Sequence, residues 1–236
     1  MNTDKGRIAI IPARGGSKRL PRKNLLDVQG KPMIAWTIEA AKESQLFSHV
    51  YVSTEDVEIA ETSERFGAEI LVRPPHLATD NSTVTEVCLY HLEKSYDTKR
   101  LPNSLFCLYP TAPLRTSRDL KKVATILETR DDARAVVAVT RYMHYAYQAM
   151  AAQGDTIKPF WPQLNRLRSD RLPRLVAGNG STYAIKVESF IEQKSFIVEE
   201  GMYFHEMELF RSIDVDTEDD LIMLRAMAAY LKPQKA

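Results

Sequence analysis

Residues Arg7 to Asn24 read RIAIIPARGGSKRLPRKN: an apolar run, a glycine pair and a dense set of cations in direct succession. The run Arg7–Pro12 predicts a buried strand that ends at the proline. Gly15 and Gly16 allow positive φ and close backbone approach, so consecutive N–H groups can turn toward one anion. The cations add forked donors and point charges that suit a polyphosphate, and they are Arg14, Lys18, Arg22 and Lys23. The stretch therefore predicts a triphosphate-binding loop.

Two common phosphate-binding motifs are absent. A Walker A loop requires Gly-Lys-Ser/Thr, but the order here is Gly16-Ser17-Lys18, and no G-x-G-x-x-G occurs. A solvated basic loop or a localisation signal built on the Lys and Arg cluster stays open as an alternative.

Strand and helix patterns alternate after this loop. Helices are predicted over Met33–Ser44, Asp56–Phe66, Ser117–Thr129 and Glu188–Gln193, and Thr83 and Glu86 form a capping box for another. Strands are predicted over His49–Ser53, Ala68–Val72, Ser104–Tyr109 and Ala135–Thr140, and Met202–Glu206 is either irregular or a short strand. This alternation favours the α/β class, with a mostly parallel sheet and helices on both faces.

Net charge, cysteine content and hydropathy limit the classes of partner and the cellular compartment that we expect. The net charge of the 236 residues is +1, so no global field points to nucleic acid or a membrane, and we expect neither as a partner. Cys88 and Cys107 fit core thiols without CxxC spacing, which suits a reducing compartment. With no apolar run of membrane length, we expect a cytoplasmic protein.

Two acids stand out near the end of the sequence. Period two on a strand would place Asp214 and Asp216 on the same face. Their mutual repulsion is relieved by a cation, and Mg²⁺ prefers one or two carboxylates together with phosphate oxygens and waters. The acids that follow are explained by the start of a helix, because Thr217 and Asp220 form a capping box. We therefore expect a divalent-metal site at Asp214 and Asp216.

Together these motifs resemble the acylneuraminate cytidylyltransferases, which activate sialic acid and related nonulosonic acids with CTP. The resemblance implies a Rossmann-like three-layer nucleotide-diphospho-sugar transferase fold in a single domain, 1–236. It implies CTP-binding residues Ala13, Arg14, Gly15, Gly16, Ser17, Lys23, Asn24, Asp80 and Ser82. Its implied catalytic residues are Arg14, Lys18, Asp214 and Asp216, the last two holding Mg²⁺ or Mn²⁺.

The sugar-acid contacts are also implied by the resemblance. Residues 109–115 resemble the pattern Gln-Pro-Thr-Ser-Pro-Leu-Arg, but Tyr109 replaces the Gln of sialate-specific members, as in pseudaminic-acid-type relatives. Gln148 stands where family members have Lys, and Ala177 where they have Arg. Asn179-Gly180 predicts a tight turn before a strand. The implied sugar-acid residues are Tyr109, Thr111, Arg115, Gln148, Arg168, Asn179 and Tyr183.

The strand–helix alternation breaks over residues 141–178. This segment is rich in aromatic residues, namely Tyr142, Tyr145, Tyr147, Phe160 and Trp161, and it contains Met143 and Met150. Such a composition is typical of a subunit interface or a substrate lid, with a satellite core as the alternative. The resemblance implies a dimerisation lobe that exchanges across a homodimer.

The expected function is transfer of CMP from CTP to the anomeric hydroxyl of a nonulosonic acid of the sialic, legionaminic or pseudaminic type, with release of pyrophosphate. Two alternatives stay open. One is a related nucleotidyltransferase that acts on Kdo or on another sugar or polyol phosphate. The other is a nucleotide-binding module without catalysis.

Overall fold

The fold is given by a computed structural model that describes residues 6–96, 100–144 and 146–231; Tyr145 of the 141–178 lobe lies outside them. The strands are β1 Arg7–Pro12, β2 Asp27–Val28, β3 Lys31–Pro32, β4 Phe47–Thr54, β5 Glu69–Val72, β6 Ser104–Leu108, β7 Ala135–Arg141, β8 Met150–Gln153, β9 Thr156–Pro159, β10 Val176–Lys186 and β11 Met202–Glu206. The helices are α1 Met33–Ser44, α2 Val57–Arg65, α3 Val84–Ser95, α4 Ser117–Thr129, α5 Pro162–Asn165, α6 Val187–Gln193 and α7 Glu218–Leu231. Single 3₁₀ turns cover Lys23–Leu25, Pro75–Leu77, Ala146–Gln148, Ser169–Arg171 and Leu209–Arg211.

Seven of the described strands form one sheet in the order β11-β7-β10-β6-β1-β4-β5. Only β10 runs antiparallel to its neighbours β6 and β7; the other pairings are parallel. The chain proceeds from β1 to β4 and β5 on one side, and then returns to place β6 on the other side of β1. This reversal is a topological switch point, where ligands of open α/β sheets bind at the carboxyl ends of the strands.

Helices cover both faces of the sheet because β1 is apolar on both sides. Ala9 and Ile11 belong to the core under α1, α2 and α4, whereas Ile8 and Ile10 belong to the core under α3 and α6. Successive side chains of a strand point to opposite faces, so one unbroken apolar run supplies both cores. The predicted three-layer α/β fold with a mostly parallel sheet is confirmed.

Local signals set the helix ends. The Asp56 side chain accepts a hydrogen bond from the Ile59 N–H at the start of α2, and Gly67 follows the end of that helix with a φ of 85°. The capping box of Thr83 and Glu86 is present at α3 as predicted. None of the helices in the described residues combines the length and apolarity needed to cross a bilayer.

Two local predictions are wrong. Asn179 and Gly180 do not form a turn before a strand; they lie inside β10, whose pairing with β7 shifts register between Gly178 and Tyr183. A glycine with φ of 67° at position 180 serves this irregularity as well as it would serve a hairpin turn. Asp214 lies in an irregular segment rather than a strand.

The 141–178 lobe contains a hairpin of β8 and β9, which pair antiparallel with each other and form a separate two-stranded sheet. Several of its large apolar side chains are exposed, with 69% for Met143, 66% for Ile157 and 61% for Phe160, whereas Tyr147 is buried. The lobe thus presents apolar surface outside the two cores of the main sheet.

Candidate active site

A cleft of about 340 Å³ opens at the carboxyl ends of β1 and β6, at the switch point of the sheet. Its volume falls within the range of small-molecule sites. Eleven of the residues expected from the sequence line it: Arg14, Ser17, Lys18, Lys23, Asn24, Asp80, Ser82, Tyr109, Thr111, Asp214 and Asp216. The loop after β1, the loop 76–82 and the segment 212–216 are far apart in sequence, so the fold brings them together.

The cations of the loop after β1 are paired with acids across the cleft. Arg14 Nη1 lies 2.8 Å from Asp80 Oδ1, and Lys18 Nζ lies 2.5 Å from Asp80 Oδ2. Hydrogen bonds from Lys18 and from Arg14 hold the pKa of the Asp80 carboxyl below its usual value. One carboxylate thus pairs with two of the four cations that the sequence assigns to phosphates.

Packing rather than backbone conformation requires a glycine at position 15, whereas a Cβ at Gly16 would meet nothing within 4 Å. Neither Gly15 nor Gly16 has a positive φ, so the conformational freedom expected of them from the sequence is not used. A Cβ on Gly15 would overlap the Asp56 carboxylate, and the Gly15 N–H donates to Glu55 Oε1 at 2.8 Å. Arg22 also faces away from the cleft, since its guanidinium pairs with Asp56 and Glu58 at the start of α2. Acids around α2 therefore hold this loop against the helix.

Two residues of the same loop are buried. Ala13 is fully buried, and its N–H donates to the Ser53 carbonyl at 2.9 Å. Asn24, only 4% exposed, donates from Nδ2 to the Arg14 carbonyl at 3.1 Å. Its Oδ1 has no hydrogen-bond partner among the described residues, so a buried acceptor at the cleft is left for a ligand donor.

Asp214 and Asp216 both line the cleft, on either side of the buried Val215. Burial raises the pKa of Asp214; a hydrogen bond with Thr111 opposes the rise and the charge of Asp216 adds to it, although solvent still reaches the side chain. Asp216 accepts from Lys23 Nζ at 2.9 Å and from Arg19 Nη2 at 2.7 Å. Partial burial alone would raise the pKa of Asp216, but these two cations outweigh it and hold that pKa below its usual value.

The loop after β6 forms another part of the cleft wall. Tyr109 and Thr111 line the cleft, and burial raises the pKa of the Tyr109 hydroxyl well above its usual range. Arg115 does not line it: this side chain is 2% exposed and donates to the carbonyls of Tyr109 and Ala112. Burial lowers the pKa of Arg115 to about 9. The structure thus places Arg115 behind the loop, where it holds the backbone.

Four other predicted sugar-acid residues lie outside the cleft. Tyr183 packs edge-on against Tyr109, with ring centroids 5.8 Å apart, and the buried Asn179 donates to Ser212 Oγ at 3.1 Å. Gln148 and Arg168 are exposed on the lobe. Substrate contact by these four residues stays a prediction.

Sequence reasoning missed Arg73, a buried arginine that lines the cleft immediately after β5. Its position at the carboxyl end of a parallel strand, directly before two prolines, was a usable signal. Arg19 was missed as a partner of Asp216, and the apolar wall of Leu20, Val84 and Val87 was missed as well.

The chain is similar in sequence to known proteins. The family model described as cytidylyltransferase matches residues 8–155. A CMP-N,N'-diacetyllegionaminic acid synthase of Legionella pneumophila is 32% identical over 90% of this chain and 92% of its own length. A pseudaminic acid cytidylyltransferase of Campylobacter jejuni is 31% identical over 91% of this chain and 92% of its own.

A solved structure shares the fold. It is a CMP:2-keto-3-deoxy-manno-octonic acid synthetase complexed with CTP, which matches with a TM-score of 0.69 over 95% of this chain and 99% of that chain, at 19% identity. The family resemblance drawn from the motifs is thereby confirmed. The chain belongs to the cytidylyltransferase family and is a nucleotidyltransferase.

Proposed function

We propose that the protein transfers CMP from CTP to the anomeric hydroxyl of a nonulosonic acid and releases pyrophosphate. The observation that carries this proposal is the cleft at the switch point, with loop cations facing two carboxylates across about 340 Å³. The relatives named for legionaminic and pseudaminic acid support a nonulosonic acid as the acceptor.

The triphosphate of CTP would lie along the loop after β1. Arg14 and Lys18 pair with Asp80 in the free protein, and the phosphates would take over these charges. The unpaired Oδ1 of Asn24 offers an acceptor to a ribose hydroxyl or a base amine. Ser17 lines the same cleft and supplies a further donor, whereas the Ser82 hydroxyl, which also lines it, donates to the His76 carbonyl at 3.1 Å.

The reaction itself needs positioning and charge neutralisation more than covalent work by the protein. The C2 hydroxyl oxygen of the acid forms a bond to the α-phosphorus, and the bond from that phosphorus to the bridging oxygen of the β-phosphate breaks. Pyrophosphate leaves in line, and the hydroxyl proton passes to a carboxylate or to solvent. Arg14, Lys18 and Lys23 would stabilise the charge that grows on the phosphate oxygens.

The residues present fit a divalent cation. Among the described residues no group of three or more His, Cys, Asp or Glu forms a metal cluster, so Asp214 and Asp216 stand as a pair. A pair of carboxylates is within the one or two that Mg²⁺ takes when phosphate oxygens and waters complete its shell. Asp214 and Asp216 would hold Mg²⁺ or Mn²⁺, which would neutralise phosphate charge when bound.

We further propose a cytoplasmic homodimer that associates through the 141–178 lobe. The exposed apolar side chains of the lobe support the association, and the two free, buried cysteines suit a reducing compartment. In such a dimer, Gln148 and Arg168 would reach the sugar acid in the partner's cleft.

The test of the reaction is pyrophosphate release with CTP, Mg²⁺ and one acid at a time: N-acetylneuraminic, legionaminic, pseudaminic or Kdo. We expect release with at least one nonulosonic acid and none with ATP or UTP. Release with Kdo alone would favour the octulosonic acid reaction named for the structural neighbour. CTP binding without release on any of the four acids would contradict the proposed reaction.

The metal site is tested with Asp214→Asn. We expect turnover to fall by more than about 100-fold and the Mg²⁺ concentration for half-maximal rate to rise, because loss of a residue that only supports a metal ligand commonly costs 10- to 100-fold. The matched control is Asp219→Asn, an exposed acid in the first turn of α7 outside the cleft. An unchanged Mg²⁺ titration in Asp214→Asn would overturn the assignment.

A further inference from the structure

Arg73 enters the cleft wall from a buried position and is fixed there by Ser53. The residue is 5% exposed; its Nε donates to Ser53 Oγ at 3.2 Å and its Nη2 to the Ser53 carbonyl at 2.9 Å. Its own N–H donates to the Thr54 carbonyl at 2.9 Å. The buried Arg73 guanidinium is therefore held in one orientation by Ser53 of β4, the strand that pairs with β5.

Ser53 is itself held by a histidine on α3. Ser53 Oγ lies 2.7 Å from His91 Nε2, and both residues are buried, with 0% and 3% exposed. Arg73 Nε donates to Ser53 Oγ, and His91 Nε2 is the one acceptor within reach of the buried Ser53 hydroxyl among the described residues, so we assign the Ser53 proton to His91 Nε2. His91 then accepts at Nε2, which requires the neutral imidazole with its proton on Nδ1.

The surroundings keep His91 neutral. Burial lowers the pKa of His91 to about 4, and the Arg73 charge adds to this shift. Burial likewise lowers the pKa of Arg73, while the charge of Glu55 opposes that change. His91, Ser53 and Arg73 thus form a buried series of hydrogen-bonded side chains that runs from the middle of α3 to the cleft. The reaction outlined above uses none of these three residues.

We propose that Ser53 and His91 are positioning residues that hold the Arg73 guanidinium at the cleft wall, where it meets an acceptor oxygen of the nucleotide. The inference rests on the proposed function, since it takes CTP as the occupant of the cleft. A long arginine side chain has many rotamers, so an arginine fixed in advance loses less conformational entropy on binding. The apolar residues Val84 and Val87, near the start of α3, line the same cleft and exclude water from it.

The test compares two variants of one position. His91→Leu removes the acceptor for the Ser53 hydroxyl, whereas His91→Gln keeps an acceptor at the same reach. We expect His91→Leu to weaken CTP binding about tenfold in titration calorimetry, as for one hydrogen bond to a charged group, and to raise the KM for CTP but not for the sugar acid. His91→Gln is expected to restore binding to within about twofold, and Ser53→Ala to resemble His91→Leu.

A comparison of the His91→Leu effect with and without Arg73 distinguishes a positioning role of His91 from an effect on stability alone. In an Arg73→Ala background, His91→Leu is expected to leave the Kd for CTP unchanged, because the residue that it positions is already absent. An equal loss in both backgrounds, a His91→Gln variant as weak as His91→Leu, or unaltered binding in Ser53→Ala and His91→Leu would each overturn the inference. Should His91→Leu fail to fold, Ser53→Ala in the two backgrounds gives the same comparison. Wild-type protein that does not bind CTP would instead overturn the proposed function, and this inference with it.

Discussion

Gly180 packs against Asp214, one of the carboxylates that line the cleft. It has a φ of 67°, and a Cβ at this position would overlap the carboxylate of Asp214. Two independent constraints therefore select glycine here: the left-handed backbone, and the space taken by Asp214. The register shift of β10 places this glycine beside the segment that carries the carboxylates.

We predict that Gly180→Ala impairs the reaction more than it impairs folding. The left-handed backbone should cost about 1–2 kcal/mol of the free energy of unfolding, measured by urea denaturation. Displacement of Asp214 should lower kcat by about 100-fold, as a misplacement of about 1 Å can do.

The matched control is Gly154→Ala, because Gly154 also has a positive φ, 58°, and a Cβ added there would meet nothing within 4 Å. It should show the loss of stability without the loss of activity. Full activity in Gly180→Ala would contradict the role given to this glycine.

The residues of the cleft differ in how far the sequence alone predicts them. The spacing of Asp214 and Asp216 and the cations after β1 were readable because their residue types are unusual in those places. The position of Arg73 at the end of a predicted strand indicates a place near the cleft, but its fixed orientation depends on the burial and on the partners that β4 and α3 supply. Such a site follows from packing between distant elements, which local pattern does not contain.

At the scale of elements, the segment 208–216 is held in place from several sides. Arg211 donates to Asp119 Oδ2 at 2.6 Å and to the Leu114 carbonyl at 3.2 Å. The Val215 N–H donates to the Thr111 carbonyl at 2.8 Å. His205 of β11 completes the contacts of Asp119, with Nε2 3.1 Å from Oδ1. Asp119 is thus the point where α4, β11 and this segment are joined.

We predict that Asp119→Asn lowers the free energy of unfolding by about 3 kcal/mol at pH 7, because breaking a buried ion pair leaves its partner charge uncompensated. Burial alone would raise the pKa of Asp119, but His205, Arg211 and Thr116 outweigh it and hold that pKa well below its usual value. A depressed pKa in the folded state gives stability that is present above the ordinary carboxyl pKa of about 4 and is lost as the pH falls below it. Wild-type stability should therefore fall more steeply than that of the variant below about pH 4, in urea titrations at several pH values.

Asp220→Asn is the matched control. Asp119 is the acid of the capping box at α4, where it accepts from the Thr116 N–H at 2.9 Å. Asp220 is the corresponding acid at α7, where it accepts from the Thr217 N–H at 2.8 Å, but it is only partly buried. Its substitution should cost about 1 kcal/mol, as for the loss of a helix cap. Equal losses in the two variants would show that Asp119 acts only as a cap.

Elements with strong local signals were predictable to the residue. The bounds of β1, α1 and α4 agree with the sequence patterns, because an apolar run, a preceding proline and a capping box each define an end. Asn179-Gly180 was misread, since the same dipeptide serves a hairpin turn and a strand irregularity. The β8–β9 hairpin was not predicted because its strands are exposed and lack a buried alternating face.

At the scale of the whole molecule, the main sheet and the lobe differ in how they use apolar residues. The main sheet buries its apolar side chains in the two cores under the helices. The lobe exposes its large apolar residues on and beside the hairpin, among them Met143, Met150, Ile157 and Phe160. A stable homodimer buries about 800 Å² from each partner, and apolar side chains of this kind supply the centre of such an interface.

We predict that Ile157→Asp converts the proposed homodimer into a monomer, because a carboxylate at a side chain that is 66% exposed in one chain would be desolvated in the assembly. Sedimentation velocity should show the change in mass. The matched control is Ile197→Asp, a change of the same residue type at 60% exposure outside the lobe, which should remain dimeric. If Gln148 and Arg168 act in the partner's cleft, the monomer should bind CTP as the wild type does while its KM for the sugar acid rises. A wild-type monomer, or a dimer that survives Ile157→Asp, would contradict association through the lobe.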